Sequence, residues 1–129
     1  MHVDLHDIYR AIAEGDDTGA VALYRGPVLP EDAYEDWAAS AREHLSLTII
    51  CARRRLASGA SAAGSHDVIV DHMSAILELE PYDERAHEQL VHALAATGRQ
   101  GDAMRADERY RTKMTELGVT PRTLLAPRA

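Results

Sequence analysis

Apolar residues recur at helical spacing along almost the whole chain. Leu5, Ile8 and Ile12 follow i, i+3, i+7, and Ala20, Leu23 and Tyr24 mark one face of a short second helix. Tyr34, Ala38, Ala41, Leu45, Thr48 and Ala52 then step by fours and threes, flanked by Trp37 and Leu56, and predict one long third helix. Ile69, Met73, Ile76 and Leu77 mark a fourth helix. Ala86, Leu90, Ala93, Leu94 and Thr97 mark a fifth, and Ala103, Ala106, Tyr110, Met114 and Leu117 a sixth. Period-two alternation does not run over any useful length, so the expected fold class is all-α, with about six helices.

The pattern breaks once, at Arg25-Gly26-Pro27-Val28-Leu29-Pro30. Two prolines and a glycine stop any helix that reaches them. Val28 and Leu29 would be wasted in a solvated linker, so the segment reads as a buried connector held in one shape. Gly26 permits a tight path, and Pro27 and Pro30 fix two φ angles. Val28 and Leu29 are expected to pack against the face carrying Trp37. Arg25 is expected to pair with Glu31, Glu35 or Asp36. Glu31 and Asp32 then suit the positive end of the long helix.

Glycines organise the remainder. Gly64 stands five residues before Ile69, and Gly98 five before Ala103. The two glycines are 34 residues apart, the tetratricopeptide (TPR) period, with Pro81 closing the first unit and Gly98 expected as a helix cap. Gly15 and Ala20 share the offset, and the long helix with its break supplies the insertion between Gly15 and Gly64. Three helix pairs follow from this, the first of them distorted. One hairpin cannot bury its own apolar face, but stacked hairpins can. Ile69 and Ala103 are therefore expected inside, and "LGVTP", 117–121, is expected to end the last helix.

The 129 residues are one domain's worth and can bury a real core. With no phenylalanine present, that core is expected to be Ala, Leu, Ile, Val and Met with a few tyrosines. No run approaches the roughly 18 apolar residues of a membrane span. The N-terminus lacks a signal pattern, and a lone cysteine cannot close an internal disulfide, so a cytoplasmic location is expected. The formal net charge is −7, distributed unevenly: residues 98–129 carry +3 and the remainder −10. Direct nucleic-acid binding normally needs a basic footprint, so protein partners or self-docking suit this balance better.

Candidate chemistry is sparse. His2 and His6 are four apart, His87 and His92 five apart, and His66, Asp67, Asp71 and His72 lie near one helix start. No cysteine and no HExxH pattern accompanies them, so no metal site is expected. Cys51, flanked by Ile49, Ile50 and Ala52, reads as a small buried apolar residue rather than a nucleophile. No GxSxG, P-loop or dinucleotide fingerprint is present, and neither catalysis nor a cofactor is expected. Arg53, Arg54 and Arg55 fan across about 200° of helix and cannot form one stripe; one is expected to pair inward. For interaction, the favoured residues are Arg105, Arg109 and Tyr110 on the last helix, with Arg85 and His87.

Four segments taken together resemble a known family. They are "GDDTGAVALYRGPVLPEDAYEDWA", Arg42 with Leu45, "LELEPYDERAHEQLVHALAATGRQGDAMRADERYR" and "ELGVTP". This combination is similar to the bacterial transcriptional activator domain of SARP-type antibiotic-pathway regulators, over nearly the whole chain. The resemblance implies a TPR-like array of helical hairpins. It also implies a non-catalytic regulatory module that dimerises or docks onto another regulator domain or RNA polymerase. In that family the domain typically follows a winged-helix DNA-binding domain. Residues 1–129 are expected to be the activator domain alone, with no DNA-binding domain present. The rival reading is a TPR-like adaptor that binds a peptide or protein partner outside transcription.

Overall fold

The computed structural model describes residues 5–24 and 36–125. Among these are six α-helices and no strand: α1 (Leu5–Ala13), α2 (Asp17–Leu23), α3 (Asp36–Ala62), α4 (His66–Leu79), α5 (Glu84–Ala96) and α6 (Gln100–Glu116). The all-α expectation holds, and α3, at 27 residues, is the long third helix. Gly26, Pro27, Pro30 and Tyr34, and the side chain of Trp37, lie outside the described residues, as does the packing expected of the connector.

Gly15, Gly64 and Gly98 stand where the spacing put them, in the turns α1–α2, α3–α4 and α5–α6, and Gly118 follows α6. All four have φ between +73° and +80°. The cap at Gly98 shows the common pattern. Its amide donates to the Ala95 carbonyl at 3.1 Å, and the Arg99 amide donates to the Leu94 carbonyl at 3.0 Å. This double bond satisfies carbonyls that a helix end otherwise leaves open, and the left-handed residue it requires is normally glycine. The residues five positions on from the three turn glycines, Ala20, Ile69 and Ala103, are all buried. Repeated helix–turn–helix pairs with a buried seam fit the TPR-like reading.

Two compact units divide the chain, Met1–Leu56 and Ala57–Ala129. In the first, α1 and α2 pack together, with Ile8, Ala11 and Ala20 buried, and α3 contributes Leu45, Ile49, Ile50 and Ala52. Tyr9 stacks on His44 with ring centroids 5.7 Å apart. Arg55 is the exposed member of the arginine run, Arg53 and Arg54 being half-buried, and its pairing crosses the surface to α2 rather than turning inward. Its Nε and Nη2 donate to Asp17 Oδ2 and Oδ1, both at 2.8 Å. This fork ties α3 to the first turn of α2, a helix of seven residues too short to hold by itself. The Arg55 hydrogen bonds hold the Asp17 carboxyl below its usual range, against the opposing pull of burial.

The stripe on α3 differs from its expected position. Interior places go to Ile49 and Ile50, while Thr48 is half-buried and donates its hydroxyl to the His44 carbonyl. Removing isoleucine from water gains more than removing threonine. The buried arc therefore turns toward the two isoleucines, and Cys51 falls about 180° from its centre at about 100° per residue. Cys51 is exposed, not buried as its neighbours suggested.

In the second unit α5 packs against both α4 and α6. A helix with two neighbours needs a wide apolar face, and α5 buries Ala86, His87, Leu90, Val91, Ala93 and Leu94. The outer helices each need one stripe: Ile69, Val70, Met73 and Ile76 on α4, and Ala103, Ala106, Tyr110 and Met114 on α6. The alanines allow close approach of the helix axes. Leu117, expected on the α6 seam, is 51% exposed because α6 has ended there and the chain is turning through its cap. Thr97 is likewise exposed, its hydroxyl donating to the Leu94 carbonyl at the end of α5.

Candidate protein-interaction surface

The residues singled out for interaction lie mostly on α6, and the structure sorts them onto opposite faces. Tyr110 is 0% exposed and His87 4%. Their rings meet with centroids 6.0 Å apart. His87 Nε2 stands 2.8 Å from the Pro81 carbonyl oxygen. A carbonyl only accepts, so Nε2 carries the proton there. On the other side, the Tyr110 hydroxyl accepts from the Arg122 amide at 2.8 Å. One buried column thus joins the α4–α5 turn, α5, α6 and the segment that returns after α6. The Arg122 side chain reinforces the return, its Nη2 lying 3.0 Å from Glu88 Oε1 on α5. Tyr110 and His87 organise the interior, and neither presents a surface to a partner in this arrangement. Pro81 matters here through its carbonyl and Gly98 through its left-handed backbone.

The arginines face outward. Arg85 is exposed on the first turn of α5, and Arg105 and Arg109 are exposed on α6. Lys113 continues their four-residue step. With Glu108 and Thr112 these three cations line a shallow concavity of about 340 Å³. Lys113 was not anticipated, although its i+4 spacing from Arg109 was visible in the sequence. Electrostatics within this face are graded. Arg105 is held by Asp102, which also takes Arg99 Nη2 at 3.0 Å. The hydrogen bond from Arg105, then that from Arg99, keeps the Asp102 carboxyl below its usual range. Lys113 lies 3.6 Å from Glu116 Oε2 and 5.0 Å from the centroid of the Tyr82 ring. The Tyr82 hydroxyl donates to the same Glu116 oxygen at 2.9 Å. That bond raises the Tyr82 pKa. Arg109 makes no hydrogen bond or ion pair among the described residues.

Chemically, this surface offers charge and hydrogen-bond donors. Among the described residues, no three His, Cys, Asp or Glu side chains gather to hold a metal ion. No described helix is long and apolar enough to cross a membrane.

Comparison with known families decides the identity. The model of the bacterial transcriptional activator domain matches residues 7–127. The chain belongs to that family. No curated protein and no solved structure matches the chain. The activator-domain match takes in all or part of all six helices, and three of the four segments that carried the resemblance can be placed. "LELEPYDERAHEQLVHALAATGRQGDAMRADERYR" runs from the end of α4 through most of α6. "ELGVTP" is the α6 cap and the start of the return under Tyr110. Arg42 and Leu45 lie on α3, exposed and buried respectively. "GDDTGAVALYRGPVLPEDAYEDWA" supplies the cap and body of α2, and its central part lies outside the described residues. As a bacterial transcriptional activator domain, the chain is a regulatory domain of transcription.

Proposed function

We propose that this activator domain is a non-catalytic interaction module of a cytoplasmic transcriptional regulator. It acts by dimerising, or by docking onto another regulator domain or RNA polymerase. The family match over residues 7–127 carries this reading. Two further observations support it. The interior of the second unit is closed by apolar packing and by the His87–Tyr110 column. The polar groups left outside form a charged helix face, which suits protein recognition. Sedimentation across a range of concentrations, together with co-purification against RNA polymerase, tests the proposal. Reversible dimerisation or stoichiometric recovery of polymerase is the expected outcome. A strict monomer that recovers neither polymerase nor another regulator domain overturns it.

A further inference from the structure

We propose that the outward face of α6 docks an acidic segment of a protein partner, with Arg109 as the central anchor. The inference rests on the interaction-module reading and names the chemistry of the partner. Arg105, Arg109 and Lys113 succeed one another every four residues, a rise of about 6 Å per step. Together they line the concavity with Glu108 and Thr112. The outer two cations are already engaged, Arg105 with Asp102 and Lys113 with Glu116 and Tyr82. Arg109, between them, is exposed and has no partner of its own among the described residues. A guanidinium presents a planar fork that matches a carboxylate with two parallel hydrogen bonds. Exposed ion pairs such as those of Arg105 and Lys113 are worth little, so a partner's carboxylates can replace them at small cost. Acidic side chains four residues apart on a helix repeat at the same rise and meet the three cations in register.

The same face suits nucleic acid poorly. Glu108 stands among the cations, where a continuous phosphate backbone would have to pass it. The molecule as a whole carries −7 and repels a polyanion. A peptide carries discrete carboxylates and can leave the position facing Glu108 neutral.

The test is fluorescence anisotropy on the whole chain with a labelled alanine-based peptide. It has Glu at every fourth position and a length of about 15 residues, enough for partial helicity. Its Gln counterpart and a short DNA duplex serve as comparison probes. Expected results are binding of the Glu peptide only, weakening as salt rises from about 50 to about 200 mM. Arg109→Glu should lower that affinity about tenfold or more. Arg10→Glu makes the same charge change on an exposed α1 position and should leave it within about twofold. Circular dichroism confirms that both variants remain helical. Equal binding of the Gln peptide, equal losses in the two variants, or tighter binding of the duplex overturns the proposal. None of these outcomes bears on dimerisation or polymerase recovery, which sedimentation and co-purification measure separately.

Discussion

Tyr110 belongs to the interior by its ring and to the chain's return by its hydroxyl. Tyr110→Phe keeps the ring against His87 and removes only the acceptor for the Arg122 amide. The expected loss is about 1 kcal/mol in urea unfolding, with faster hydrogen exchange at Arg122 as the local signature. The Asp17–Arg55 fork makes a pH-dependent contribution. Asp17 titrates below its usual value of 3.8 in the folded chain. The pair's stabilisation is therefore complete above that value and disappears as pH falls through the lowered one. Asp17→Asn should cost about 0.5–1 kcal/mol near neutrality, a figure already reduced for solvent screening. The difference from the parent should vanish in unfolding curves recorded well below pH 4. At this scale the sequence was informative about residue type and less so about direction. Tyr110 occupied the apolar stripe with Ala103, Ala106 and Met114, which marked it as interior. Its flanking arginines drew it into the predicted surface all the same. Cys51 was misplaced because two adjacent isoleucines looked like a buried neighbourhood, yet each step along a helix turns about 100°.

Helix ends were the most legible elements. A glycine five residues before a buried small or apolar position located three turns, because few other residues tolerate the left-handed backbone that the paired cap bonds demand. Two alanine substitutions isolate this effect. A Cβ added at Gly98 or at Gly59 meets nothing within 4 Å, but Gly98 has φ +80° and Gly59 lies inside α3. Gly98→Ala should destabilise by about 1–2 kcal/mol, and Gly59→Ala should stabilise by about 0.5–1 kcal/mol. Thermal melts of the pair, moving in opposite directions, are the expected readout. Helix faces were harder to place than helix ends. A three–four alternation identifies a stripe, but it cannot tell a helix with one neighbour from a helix with two. That is why the six buried residues of α5 outran its predicted positions, which omitted His87 and Val91.

At the scale of the whole chain, the all-α class and the family could be read from residues alone, since turn glycines, a proline-rich break and a closing "LGVTP" survive without knowledge of packing. Charge separation was also legible, +3 in residues 98–129 against −10 elsewhere. Only the folded chain shows that three of those positive groups share one outward face while Arg122 is spent on Glu88. The return after α6 has a mechanical consequence. A load applied to the polypeptide beyond Leu125 reaches the bond between the Arg122 amide and Tyr110 and the Glu88 contact before it reaches the ladder of α6. Those two links act as a fuse in series with α6, so tension on that end peels a few residues of slack before the helices of the second unit are loaded.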